Sequence, residues 1–151
     1  MTTRDFIAKT YGVQASKERH CSSVFTDYDG NVYSYGYHYP LLFKVAGHNF
    51  VNTMGYSNTT AKHIGWAWSA VDYNATAVEL SRDDARVIAS SYHSDSDKLQ
   101  VLARATAQMV ADAQVACSAK KRKDTQVYRW LQETLRRAVV SHVAVKNLQE
   151  A

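Results

Sequence analysis

The spacing of apolar and polar residues divides the chain into a short helix, a run of strands and a helical second half. Residues 4–11 have helical spacing and follow threonines that can cap a helix. From Ser22 to Val51 the residues favour strands, and the turn sequences Asp29-Gly30-Asn31 and Ala46-Gly47 interrupt them. This pattern predicts a small antiparallel β-meander over about residues 22–52.

Beyond residue 52 the apolar positions recur every three or four residues, as they do in amphipathic helices. We expect helices to begin near Thr59 or Thr60, at Ser81, within residues 94–97 and at Asp124, with a short strand at 75–80. The apolar face of the last helix is predicted at Val127, Leu131, Leu135, Ala138, Val139 and Val143. The expected fold is one α+β domain, residues 1–151, with the meander packed against a mainly helical C-terminal half.

The length and composition of the chain are sufficient for it to form a hydrophobic core of its own. It has 151 residues, of which 46% are hydrophobic. No apolar stretch is long enough to span a membrane, and the N-terminal sequence lacks the order of a secretory signal, so we expect a cytoplasmic protein that does not contact membranes. The cysteines, Cys21 and Cys117, are in unrelated contexts, which favours two free thiols. No cofactor is expected.

Charge is distributed unevenly along the chain. The formal net charge is +4, but residues 120–137 alone carry seven basic and two acidic residues, so the remainder sums to −1. Clustered lysine and arginine attract phosphate-bearing partners, although such a run also suits a solvated helix face. The basic residues are Lys120, Lys121, Arg122, Lys123, Arg129, Arg136 and Arg137.

Tyrosines alternate with other residues in the middle of the predicted meander. Tyr33, Tyr35, Tyr37 and Tyr39 occupy every second position. Alternate side chains of a strand share a face, so the spacing predicts a row of four rings. Such a row could stack on nucleic-acid bases, with Tyr33 and Tyr35 as candidate contacts, or could be half-buried core. Pro40 is expected to break the strand or place it at an edge.

Hydroxyl groups are concentrated just before the helix predicted near residue 59. Serine, threonine and free backbone N–H groups at a helix N-terminus can hold a phosphate, although capping alone selects the same residues. The candidate phosphate-binding residues of this segment are Tyr56, Ser57, Thr59, Thr60 and Lys62.

The six histidines are widely separated, and none has the spacing of a metal-binding motif, so no metal site is expected. His38 and His63 lie beside clusters of tyrosine, serine and threonine. One imidazole could remove a proton and the other donate one in a metal-independent cleavage of a phosphodiester. These two histidines are the candidate catalytic residues if the protein is an enzyme.

Two segments together resemble a family of small uncharacterised phage and virus proteins. Residues 31–40 contain the strand pattern YSYG-x-H-x-P, and residues 51–63 contain the helix-start pattern GYS-x-TT-x-x-H. The resemblance leaves the C-terminal helices unmatched. It implies a viral origin and action in the host cytoplasm. The site residues that it implies are Tyr33, Tyr35, His38, Tyr56, Ser57, Thr59, Thr60 and His63.

The basic segment, the tyrosines and the hydroxyl-rich helix start predict a small phage protein that binds nucleic acid or a host nucleoprotein without enzymatic activity. One alternative is a phosphodiesterase or nuclease that uses His38 and His63, with Lys62 as electrostatic support. Another is an interaction module that inhibits a host factor through a tyrosine-rich sheet, because tyrosine and arginine are common at binding hot spots.

Overall fold

The protein has an α+β fold, which a computed structural model describes for residues 1–55 and 57–151. This confirms the predicted fold class. The elements are α1 Thr3–Thr10, β1 Arg19–Cys21, β2 Val24–Thr26, β3 Val32–Ser34, β4 Pro40–Val45, β5 His48–Asn52, α2 Asn58–Ala70, β6 Thr76–Val78, α3 Arg82–Ala89, α4 Asp95–Ala119 and α5 Gln126–Glu150.

The six strands form one sheet in chain order. Strands β1 to β5 are an antiparallel meander, with turns at the glycine-containing sequences between β2 and β3 and between β4 and β5. The predicted range of about residues 22–52 covers β2 to β5, whereas β1 lies before it. Strand β6 pairs in parallel with β5 because α2 returns the chain along the sheet between them. Pro40 is the first residue of β4, a position where its missing N–H is tolerated.

Helices cover both faces of the sheet. The sequence pattern predicts only that the sheet packs against the helices of the C-terminal half. Helices α1 and α2 pack on one face, where the core includes Ile7, Val32, Leu42, Val51 and Ala67. Helices α3, α4 and α5 pack on the other, where the core includes Phe43, Phe50, Val78, Leu102 and Val145.

A side-chain cap begins each of the five helices in the described residues. Each capping oxygen accepts a hydrogen bond from the backbone N–H three residues later, at 3.1–3.2 Å. The last helix is capped one residue later than predicted, by Thr125 instead of Asp124. The capping residues are Thr2, Ser57, Ser81, Ser94 and Thr125.

Helices α4 and α5 form an antiparallel hairpin, of which one end lies on the sheet and the other projects. Met109 is the last residue of α4 that packs on the core of the sheet, and ten more residues of α4 follow it. At about 1.5 Å per residue, the hairpin extends roughly 15 Å further. The turn at residues 120–125 is therefore remote from the sheet, and we call residues 120–130 the hairpin tip.

The apolar face predicted for the last helix is partly wrong. Helix α5 buries Ala138, Ser141 and Val145, whereas Val127, Val139 and Val143 are exposed. Helices α4 and α5 meet across small residues. One of them is Ser141, which a pattern of apolar residues does not identify as buried because serine is polar. Leu131 and Leu135, which were also predicted for this face, are half-buried.

Candidate functional site

The predicted row of four tyrosines does not form. Strand β3 ends at Ser34, and the backbone N–H of Ser34 bonds the carbonyl of Tyr39 at 3.0 Å, which closes a turn. Tyr35 lies in the left-handed region with φ of +67°, so the alternation of a strand stops there. The prediction was wrong because the alternation of residue types continues through a turn whose backbone does not alternate.

The rings of Tyr33 and Tyr37 contact each other, with centroids 4.8 Å apart, but the four side chains differ in burial. The Tyr33 ring is 1% exposed and stacks on Phe25 with centroids 5.2 Å apart, and its hydroxyl donates to Asp27 at 3.0 Å. Tyr39 is also buried, and its hydroxyl donates to the carbonyl of Met54 at 2.5 Å. Tyr35 and Tyr37 are exposed. Burial of Tyr33 and its contact with Asp27 raise the pKa of this tyrosine. Tyr33, a candidate base contact, is thus core.

His63 is a buried histidine that ties three elements together. Its side chain is 3% exposed, with Nδ1 2.7 Å from the Ser34 hydroxyl and Nε2 3.4 Å from the Ser23 hydroxyl. The ring centroids of Tyr35 and Trp66 lie 5.9 and 5.7 Å from that of the imidazole. Burial lowers the pKa of His63, so the neutral imidazole is favoured.

His38 lies in the turn after β3 and lines a cleft between that turn and α3. The larger part of the cleft has a volume of about 500 Å³, and His38, Arg82, Arg86 and Tyr92 are among its lining residues. A smaller part of about 200 Å³ shares His38 and Arg82 with it. Within the described chain, His63 lines neither part. The structure therefore does not bring the two candidate catalytic histidines to a common surface.

The hydroxyl-rich start of α2 contributes to the smaller part of the cleft. Ser57 and Thr60 line it, together with Tyr35. Thr59 and Lys62 are exposed on α2 and are not among the residues lining the cleft. Tyr56, another candidate, lies outside the described residues.

Arg82, Arg86 and Tyr92 are cleft residues that the sequence reasoning missed. The two arginines are four residues apart on α3 and so share a helix face. That spacing is the signal that could have identified them. Only the fold shows that these arginines share a cleft with His38, because α3 begins more than 40 residues after the turn that contains this histidine.

The basic segment lies at the hairpin tip and continues along α5. Lys120 is half-buried, while Lys121, Arg122, Lys123 and Arg129 are exposed. In the described part of the chain none of these five has a carboxylate within ion-pair distance. Their charges are therefore open to a partner from solution.

Two aromatic residues lie among these cations. The Lys123 ammonium is 5.2 Å from the centre of the Tyr128 ring, a cation–π contact. Trp130 is 64% exposed at the start of α5. The tip thus combines positive charge with a large exposed ring.

Arg136 and Arg137 are paired within their own helix. Glu133 accepts hydrogen bonds from Arg136 at 2.6 Å and from Arg137 at 3.2 Å. These bonds lower the pKa of Glu133 to about 2, so the carboxylate is ionised at neutral pH. Two of the seven basic residues are therefore partly neutralised.

The cleft and the hairpin tip are separate surfaces. Tyr92 of the cleft precedes the start of α4 by three residues, and α4 has 25 residues before it reaches the tip. A helix of that length is about 37 Å long. The tyrosines and the basic segment are accordingly not parts of one continuous surface.

No group of three or more histidine, cysteine or acidic side chains with metal-binding geometry occurs among residues 1–55 and 57–151. In the same residues, no helix has the length and apolar character needed to cross a bilayer. Comparison with protein-family models, curated proteins and solved structures finds no match to this chain.

Proposed function

We propose that the protein binds nucleic acid through the hairpin tip, without cleaving it. The observation that carries the proposal is the cluster of five basic residues, which form no ion pair with any described residue, beside an exposed tryptophan. Asp124 is the only acidic residue within the tip, so the local charge is strongly positive. Such a cluster attracts a polyanion because its binding releases the counterions condensed on the phosphates.

The position of the cluster favours contact with an extended ligand. The tip projects from the sheet, and four of its five basic side chains are exposed. Charges at a projecting end can contact successive phosphates without a clash between the ligand and the body of the protein. Lysine and arginine on phosphate give affinity with little sequence preference.

Trp130 supports binding to unpaired bases. Stacking of a base on an aromatic side chain contributes about 1–3 kcal/mol and tolerates any base. Arg129, also exposed, precedes this ring by one residue in α5, so a cation lies near a base that stacks on the tryptophan. We therefore expect single strands to bind more tightly than duplexes of the same length.

The phosphodiesterase alternative requires two imidazoles that reach one phosphate. His38 lines the cleft, but His63 is buried and both of its ring nitrogens contact serine hydroxyls. The inhibitor alternative relies on a sheet surface rich in tyrosine, and Tyr33 and Tyr39 are core residues. These arrangements favour the binding proposal.

The first test measures the salt dependence of oligonucleotide binding by fluorescence anisotropy. Each phosphate neutralised on a single strand contributes about 0.7 to the slope of log affinity against log salt. Replacing Lys120, Lys121, Arg122 and Lys123 together by alanine should make that slope shallower by about 2 to 3 and weaken binding. A control in which Arg4, Lys9, Lys17 and Lys146 are replaced by alanine loses the same charge elsewhere and should bind nearly as well as the wild type.

Trp130→Ala should weaken single-strand binding by about 1–3 kcal/mol and leave duplex binding nearly unchanged, while Trp130→Phe should retain most of the affinity. Urea denaturation of each variant shows whether the fold is preserved. The proposal fails if the wild type does not bind oligonucleotides at low salt, or if the tip variant and the charge-matched control bind equally.

A further inference from the structure

Cationic side chains line the cleft that lies between α3 and the turn after β3. Arg82 and Arg86 line it from one face of α3, and the described residues offer neither of them a carboxylate within ion-pair distance. The nearby carboxylate of Asp84 is engaged by Arg104 at 2.9 Å. The two guanidinium groups are thus available to an anion, and guanidinium geometry matches phosphate oxygens.

His38 faces the same space from the opposite wall. Its ring packs on Gly36, where a Cβ atom would lie only 2.7 Å from Nδ1 and 2.9 Å from Cε1. The absence of a side chain at residue 36 therefore allows this position of the imidazole. His38 and Arg82 line both parts of the cleft, so these two side chains lie at its centre.

Exposed aromatic rings border this centre. Tyr92 is 97% exposed in the loop after α3, and Tyr37 is exposed in the turn across the larger part of the cleft. Large rings in contact with water next to unpaired cations are suited to a ligand with both a phosphate and a planar ring. Serine hydroxyls at residues 90 and 91 add hydrogen-bonding groups of the kind that a sugar can use.

One of the five described non-glycine residues that have a positive φ lies at the cleft. Tyr35, which lines the smaller part, has a φ of +67°, a conformation that is costly for a bulky residue. Its N–H bonds the carbonyl of Ser23 at 2.7 Å, which holds the strained turn in place. Strain of this kind is concentrated at ligand-binding and active sites in proteins.

We propose that this cleft binds a mononucleotide, with its phosphate on Arg82 and Arg86 and its base against Tyr92 or Tyr37. A volume of about 500 Å³ lies within the range of small-molecule sites. Inorganic phosphate would use only the arginines, and a nucleoside would use only the rings. The nucleotide site is independent of the hairpin tip.

The test follows backbone amide shifts by NMR while the four nucleoside monophosphates, the matching nucleosides and inorganic phosphate are titrated in turn. We expect shifts at residues 35–38, 82–86 and 90–92, with nucleotides binding more tightly than nucleosides or phosphate. Arg82→Gln and Arg86→Gln should each weaken nucleotide binding about tenfold. The matched control, Arg4→Gln at an exposed arginine of α1, should leave it unchanged.

A second pair of variants tests the rings. Tyr92→Ala should weaken nucleotide binding, whereas Tyr28→Ala, at another exposed tyrosine, should not. The proposal is overturned if millimolar nucleotide causes no shifts at the cleft, or if the arginine variants bind as the wild type does. Equal affinities for phosphate and nucleotide would overturn the assignment of a nucleotide. A protein that binds oligonucleotides but fails these tests retains the proposed function and loses this site.

Discussion

At the scale of single residues, His63 shows how burial decides the role of a side chain. In the sequence, His63 lies close to serines and threonines, which makes it a candidate acid–base residue. In the fold it joins α2 to β3 and to the turn before β2 through the hydroxyls of Ser34 and Ser23. Its burial favours the neutral ring, so the same residue becomes a source of pH-dependent stability.

We predict that the free energy of unfolding decreases as the pH falls from about 7 to about 5. Burial lowers the pKa of His63, and also that of His48, below the ordinary value of 6.5. As the pH falls, the unfolded chain binds protons at these histidines before the folded chain does, so acid favours unfolding. Above about pH 7 both histidines are neutral in both states and add nothing to the pH dependence of the free energy of unfolding. Urea denaturation at a series of pH values measures this dependence.

The variant His63→Gln should be less stable at neutral pH and should lose less stability on acidification than the wild type. His38→Gln, at an exposed histidine of the cleft, is the matched control and should keep the wild-type dependence. An unchanged pH profile in His63→Gln would contradict the assignment to the buried ring.

At the scale of elements, the hairpin of α4 and α5 depends on small and polar residues where the helices meet. Ala113 and Cys117 of α4 are buried, as are Ala138 and Ser141 of α5. Thr106 also contacts Nδ1 of His142 across the pair at 2.9 Å. Small side chains let two helices approach closely, so the contact between α4 and α5, which we call the seam, has little room for larger side chains.

Ala138→Leu should therefore destabilise the protein by about 1–3 kcal/mol, because it overfills the seam. Val139→Leu, one residue later but on the exposed side, should change the free energy of unfolding by less than about 0.5 kcal/mol. Comparing the two variants by chemical denaturation tests which face of α5 packs against α4. Equal costs for the two substitutions would indicate that Val139 is buried, as the hydrophobicity pattern predicts.

At the scale of the whole molecule, α4 separates the cleft from the hairpin tip. The helix begins next to the cleft and ends at the tip, about 37 Å away. Energetic effects at sites much further apart than about 10 Å usually add. The two candidate sites should therefore act independently on short ligands.

We expect the fourfold alanine variant of Lys120–Lys123 to bind mononucleotides as the wild type does. Conversely, the double variant Arg82→Gln and Arg86→Gln should keep its affinity for a short oligonucleotide within about 0.5 kcal/mol. Anisotropy and NMR titrations of both variants measure this. Loss of both activities in either variant would show that the sites are coupled.

The sequence predicts the elements well because local rules determine them. Capping serines and threonines mark the helix starts, and glycine turns mark the meander, each through contacts within a few residues. The basic segment could be located for the same reason: a run of charged residues at a helix-to-helix turn remains at the surface in any fold that buries the apolar faces.

The candidate site could be predicted only in part. Tyr35, His38, Ser57 and Thr60 come from two separate segments of the sequence and meet at the smaller part of the cleft; all four are among the residues that the family resemblance implies. Tyr33 and His63 belong to the same clusters, but they point into the core because strand register and helix rotation decide the side on which each residue lies.

By itself, the sequence determined which segments become strands and helices and where positive charge accumulates, because those properties depend on neighbouring residues. Only the tertiary structure decided which side chains are covered and which distant ones meet. Arg82 and Arg86 line the same cleft as His38 because α3 packs beside the turn after β3, and the hairpin tip lies far from the cleft because α4 has 25 residues. Such contacts depend on the packing of elements remote in the chain, which no local pattern contains.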